Sequence, residues 1–217
     1  MILYVIRHGE TEWNTEKRLQ GRSDTKLNEY GIHLAKVTAE ALKDVDFDAI
    51  YSSPLNRACT TAEIIRGDRK LDILTDERLM EMSFGEFEGM PASEVPDSFS
   101  AFFEAPDKYI PMGNGESFDD VIARTGSFIN DVIIPNSEKI KGMLLVAHGA
   151  LNNALALHFL HRDVKDYWAG VFPRNCSVSV YEIHGSDFKC LEYGRIYYEE
   201  DKEHAASLKY TENQRTE

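Results

Sequence analysis

Cysteine is scarce in this chain. Cys59, Cys176 and Cys190 are odd in number and widely spaced, and no CxxC pair occurs. That excludes a disulfide framework and gives no zinc knuckle; reduced thiols, as in a cytosolic protein, are the expected state. Long apolar runs are missing as well. No stretch approaches the roughly 18 residues that span a bilayer. The opening run Ile2 to Ile6 meets charge at Arg7, too short for a signal peptide and without its basic leader. The cytoplasm is therefore the expected compartment. Positive charge is also in short supply: 24 Lys and Arg face 37 Asp and Glu, a formal net charge of −13. Neither nucleic acid nor an anionic membrane surface is an expected partner of such a balance. An anionic small molecule would need a local cluster of cations to overcome the repulsion of the whole surface. Internal repeats and low-complexity tracts are absent.

What is present describes an ordinary globular chain. Its 217 residues, 42% hydrophobic and 28% charged, suit one large domain with room for a small insertion. A chain of this length buries roughly 70% of its unfolded surface and needs no staples. Ile2 to Ile6 and Gly142 to Ala147 are continuous apolar runs that read as buried strands. Asp48 to Ser52 and Leu71 to Leu74 read as short strands, and Val178 to Ile183 with Phe188 to Tyr193 as a terminal pair. Helices are expected from an Asn28 cap to Leu42, from Pro54 to a stop at Gly67, from Ser117 to Ile134 with Pro135 as terminator, and from Gly149 to about His161. Strands alternating with helices indicate an α/β fold, a three-layer sandwich with a mostly parallel central sheet. The Pro- and aromatic-rich stretch from Gly85 to Gly115 reads as a lid insertion. The domain is expected over residues 1–198, followed by a charged tail, 199–217, that is frayed or disordered.

In such folds the site lies beyond the carboxyl ends of the strands. Three places qualify: Arg7-His8-Gly9, Ser52-Ser53-Pro54 with the helix behind it, and His148-Gly149. Two of the three carry a histidine followed by glycine, and Gly9 leaves room for close approach to the backbone. Arg7-His8-Gly9-Glu10-Thr11-Glu12-Trp13-Asn14 resembles the signature of the histidine phosphatase superfamily, in the branch holding cofactor-dependent phosphoglycerate mutases and their phosphatase relatives. The resemblance extends in order through Gln20-Gly21, Ser52 to Ala62, Leu79 to Gly89 and Ala147-His148-Gly149. It covers the chain from its start to about residue 180, and four ordered blocks at strand ends are far more specific than one tripeptide.

The resemblance implies a phosphatase that works through a phosphorylated His8. Neutral imidazole is a good nucleophile, and a backbone carbonyl accepting from one ring nitrogen would leave the other free to attack phosphorus. The phosphoryl oxygens require cationic donors; Arg7 and Arg57 supply planar forks, and His148 a further donor if protonated. The family pattern places the general acid and base at Glu81, with Glu86 and Glu88 as rivals, and the role needs a raised pKa. Asn14, Gln20, Gly21 and Gly149 are implied as substrate contacts. Trp13 reads as a packing anchor, and Arg22, Arg66 and Arg69 as exposed arginines. His158 and His161 near Asp163 lack a second ligand set, so no metal and no cofactor is expected; His33, His184 and His204 carry no signal. Between Met82 and Tyr109 the only basic residue is Lys108, which favours a phosphatase over a mutase that must hold a carboxylate. A non-catalytic phospho-ligand module is the remaining alternative, weakened by the presence of every key side chain. The aromatic stripe Phe99, Phe102, Phe103 and Tyr109 suits an apolar leaving group or, more simply, core packing. The expected partner is a small phosphorylated substrate. Nothing in the sequence indicates an oligomeric state.

Overall fold

The two continuous apolar runs become neighbouring strands at the centre of a six-stranded sheet. The computed structural model describes residues 1–170 and 173–199. Its strands are β1 (Ile2–Arg7), β2 (Ala49–Ser52), β3 (Ile73–Thr75), β4 (Gly142–Ala147), β5 (Val178–His184) and β6 (Asp187–Arg195), in the spatial order β3-β2-β4-β1-β5-β6. Strands β3, β2, β4 and β1 run parallel, while β5 and β6 are antiparallel additions at one edge. Every residue of β4 is buried, as a strand covered on both faces requires. The mostly parallel sheet expected from the sequence is observed. Strand β3 begins two residues later than expected, because its ladder pairs Ile73 with Ile50 and ends at Thr75 opposite Ser52.

The helices are α1 (Glu12–Thr15), α2 (Glu29–Ala41), α3 (Asn56–Arg66), α4 (Ala101–Glu104), α5 (Phe118–Phe128), α6 (Ile134–Asn136) and α7 (Gly149–Leu160). Alternation along the strands sends Ile6, Leu144 and Val146 to one face, where they pack with Ala58, Ala62 and Ile65 of α3. Leu3, Val5, Met143 and Leu145 go to the other, against Val121 and Phe128 of α5 and Leu151 and Leu155 of α7. These are the three layers. No described helix is long and apolar enough to cross a membrane.

Two helix ends differ from expectation. Helix α3 starts at Asn56 rather than Pro54, because Leu55 stays extended at ψ 136°. The hydroxyl of Ser53 and the carboxylate of Asp24 take the Leu55 and Asn56 amide protons instead. Pro135 does not end the helix begun at Phe118. A π-helical turn, Ile129–Ile133, widens the spiral so that the chain runs on through α6, sparing the carbonyl that a proline ring would strike. Asn28 does cap α2, its Oδ1 accepting from Gly31 N at 2.7 Å.

The segment 85–115 contains only α4 and short 3₁₀ turns, as its composition suggests. Phe99, Phe102 and Tyr109 are buried among Phe118, Tyr167 and Trp168. Core packing accounts for these aromatics, with the Trp168 indole donating to the Phe102 carbonyl at 2.6 Å. The tail expected over 199–217 lies, from residue 200 onward, outside the described residues.

Candidate active site

Parallel pairing of β1 with β4 sets Arg7 opposite Ala147, and the ladder continues with His8 N donating to Ala147 O at 2.9 Å. The next residues out are the two histidines, whose rings lie 5.1 Å apart. His8 is 2% exposed. Its Nδ1–H donates to the Gly9 carbonyl at 2.6 Å, which leaves Nε2 as the ring's lone pair. Burial, with Arg57 and Arg7 beside it, holds the His8 pKa well below the ordinary histidine value. The ring is neutral at physiological pH.

The backbone that supplies this carbonyl is tightly constrained. Gly9 N donates to Thr61 Oγ1 at 3.0 Å, and that hydroxyl donates to Arg57 O in the preceding turn of α3. A Cβ on Gly9 would lie 2.6 Å from Gly31 O, and one on Gly31 2.1 Å from Glu10 O. The missing side chain at Gly9 therefore admits helix α2, not a ligand. Thr61 and Asn175 are partners that sequence reasoning did not assign. Asn175 donates to the His8 carbonyl at 3.0 Å and lies 3.4 Å from Asn14 Oδ1.

Arg57 is fully buried and spends its terminal nitrogens on the loop over it. Nη1 donates to Ser23 O and Nη2 to Gly21 O, each at 2.7 Å. Its Nε is buried without a partner among the described residues. Burial, helped by Arg7, pushes the guanidinium down to about 10, so it stays cationic at neutral pH. Arg7 donates from Nη1 to Pro173 O at 2.6 Å. The local cationic cluster demanded by the net charge exists at the ends of β1 and α3.

His148 is also fully buried and held well below the usual histidine pKa by burial, Arg57, His8 and Arg7. The condition set for His148 as a cationic donor, protonation, is disfavoured by these surroundings. Its Nε2 lies 2.8 Å from Ser53 Oγ, and its Nδ1 is buried without a partner among the described residues. Glu81 reaches the start of α7, whose cap residue His148 makes no side-chain cap. Glu81 Oε1 accepts from Leu151 N and Met82 N at 3.0 Å, and Oε2 from Ala150 N at 3.2 Å. The Arg7 guanidinium and Glu81 Oε2 both lie within 3.8 Å of where a Gly149 Cβ would stand. The rivals are elsewhere: Glu88 braces the 20s loop through Arg22 N and Ser23 Oγ, and Glu86 lies against Gly113.

The remaining assignments divide. Asn14 Oδ1 accepts from the Thr11 amide in a capping box. Gln20 Oε1 accepts from Thr25 Oγ1 at 2.7 Å. Gly21, at φ +52°, has Glu88 packed where a Cβ would go and gives its carbonyl to Arg57. Arg22 is exposed, as expected, whereas Arg69 is half-buried. Arg22 pairs with Glu116, which also binds Arg124. Arg69 donates to the carbonyls of Ile65, Arg66, Leu42, Lys43 and Val45, closing the ends of α2 and α3. Trp13 packs on Gly89, as an anchor would. His158 Nε2 donates to Ile122 O at 3.0 Å, a structural tie between α7 and α5. Among the described residues no three His, Cys, Asp or Glu side chains are grouped to hold a metal ion.

The chain is similar to proteins of known kind. Residues 3–195 match the model of the histidine phosphatase superfamily, branch 1. A putative phosphoserine phosphatase 2 from Hydrogenobacter thermophilus is 34% identical, over 84% of this chain and 88% of its own length. A probable phosphoglycerate mutase GpmB from Proteus mirabilis is 33% identical, over 85% and 86%. The solved structure of YhfR from Bacillus stearothermophilus superposes with a TM-score of 0.84 at 35% identity, covering 90% of this chain and 97% of that one. With the match running from β1 to the end of β6, the chain belongs to the histidine phosphatase superfamily.

Proposed function

We propose that this protein is a phosphatase that hydrolyses phosphomonoesters of small molecules through a phosphohistidine on His8, with Glu81 as general acid and base. The observation that carries the reading is the pinned imidazole: Nδ1–H is held on the Gly9 carbonyl, so a neutral Nε2 lone pair lies among Arg7, Arg57 and His148. Nε2 attacks phosphorus, the bond to the ester oxygen breaks, and that oxygen leaves with a proton from the Glu81 carboxyl. Arg7 and Arg57 balance the charge on the equatorial oxygens, with Arg57 Nε–H unspent for this purpose. Water then attacks the phosphohistidine and gives a proton to Glu81. The P–N bond breaks, phosphate leaves, and His8 is regenerated. Asn14 Nδ2, Gln20, the Gly21 loop and the Gly149 amide line the route to this centre.

Residues 1–198 form the catalytic unit in this reading, with segment 85–115 beside its mouth. The three free thiols and the acidic surface suit a cytoplasmic enzyme with no nucleic-acid partner. Likeness to a probable phosphoglycerate mutase keeps phosphoryl transfer as the second reading. The scarcity of basic residues between Met82 and Tyr109, where only Lys108 occurs, counts against it, since a mutase must hold a substrate carboxylate. The deciding measurement is turnover of p-nitrophenyl phosphate in excess EDTA by the wild type and His8→Ala, with acid-labile phosphate trapped on the protein. Activity that survives EDTA and vanishes in H8A is expected; activity that needs added divalent metal sinks the proposal. Release of phosphate from 3-phosphoglycerate primed with the bisphosphate, without isomerisation, separates phosphatase from mutase.

A further inference from the structure

We propose that Ser53 is a positioning residue that sets the tautomer of His148, so that the uncharged ring presents an Nδ1–H to the phosphoryl group. The ligand in this statement rests on the phosphatase reading; the tautomer does not. Ser53 and His148 are both fully buried. The serine is held firmly: its amide donates to Val146 O at 3.0 Å, and its carbonyl accepts from Ser52 Oγ at 2.9 Å and Cys59 Sγ at 3.1 Å. Its hydroxyl oxygen accepts from Leu55 N at 3.3 Å and lies 2.8 Å from His148 Nε2.

A hydroxyl has one hydrogen to give. If Nε2 carried the ring proton, Ser53 Oγ would accept twice and its own hydrogen would find no acceptor among the described residues. The bare Nδ1, without a partner among the described residues, would then be a second buried polar group left unsatisfied. With the hydroxyl donating to Nε2 instead, every group but one is satisfied. The exception is Nδ1–H, a buried donor 5.1 Å in ring-to-ring terms from the nucleophile. A buried donor that lacks a protein acceptor is costly unless a ligand supplies one. Protonating both nitrogens is opposed by burial and by Arg57, His8, Arg7 and Arg124 around the ring. A neutral donor costs no proton uptake when an anionic group arrives, and its orientation is set in advance.

The test uses ¹⁵N-histidine-labelled full-length protein and long-range ¹H–¹⁵N correlation, with His148 assigned by the signal lost in His148→Gln. The wild type is expected to show a pyridine-type Nε2 and a pyrrole-type Nδ1 at His148. Ser53→Ala is expected to give a mixture of tautomers and about a tenfold or greater loss of kcat, with KM for p-nitrophenyl phosphate within about twofold. Ser53→Thr, which keeps the hydroxyl, is expected to restore the tautomer and most of kcat. A wild-type spectrum with Nε2 protonated, or with both nitrogens protonated, overturns the proposal, and so does a Ser53→Ala enzyme with unchanged tautomer or kcat. Absence of His8-dependent turnover would instead sink the phosphatase reading and leave the tautomer standing.

Discussion

His8 and His148 share surroundings that oppose protonation: both rings are buried, and Arg57 and Arg7 raise the local potential at each. The consequence reaches beyond catalysis. Unfolded, the two histidines take up protons near pH 6.5; folded, they do so only well below that value. Their contribution to stability is therefore complete above about pH 6.5 and is lost as the pH falls below it, by up to about 1.4 kcal/mol per pH unit for each ring. The urea midpoint should be lower at pH 5.5 than at pH 7.5, and His148→Gln should flatten that difference toward half. The same depressed values keep the nucleophile unprotonated, so the acid limb of a kcat/KM profile should lie below pH 6.5. Glu81 is positioned by backbone N–H donors at the start of α7.

At the scale of elements, the loop after β1 is clamped between α2 and α3. Gly31→Ala would force a Cβ to 2.1 Å from Glu10 O, an overpacking that costs about 2–3 kcal/mol. For a chain this long the melting temperature should fall by roughly 5–10 °C. Because the displaced backbone carries the Gly9 carbonyl, kcat should fall with it. Arg69→Ala is the contrasting case. Losing the bonds that close α2 and α3 should cost about 1–3 kcal/mol in thermal or urea unfolding and leave kcat/KM unchanged, since Arg69 is remote from His8. These elements also show what could be read in advance. β1 and β4 were legible because Ile2 to Ile6 and Gly142 to Ala147 are continuous apolar runs, and the histidines mark their ends. Ser53 and Thr61 lay in stretches the sequence singled out, but their roles, and Asn175 altogether, were not legible, because they act through hydrogen bonds across separations of 95, 52 and 167 residues, where side-chain type alone carries no periodic signal. Pro135 misled for a local reason: the terminator rule assumes an α-helical spiral, and a π-helical turn precedes it. Arg69 looked idle because its partners are backbone carbonyls, which every sequence has everywhere.

For the whole molecule, a chain of net charge −13 carries a pair of neighbouring arginines, Arg57 buried and Arg7 half-buried. At physiological ionic strength the screening length is about 8 Å, so a phosphate ester feels distant carboxylates only weakly once it reaches the mouth. The sheet does the rest. His8 and His148 stand far apart along the chain yet one rung apart in space, joined through Arg7 opposite Ala147. Peeling away an edge such as β3 or β6 leaves that rung untouched, and pulling the two rings apart means melting the central ladder itself. Heat should therefore offer no intermediate stop. A calorimetric trace and the loss of turnover on warming should superimpose, with no temperature at which a folded but silent protein accumulates.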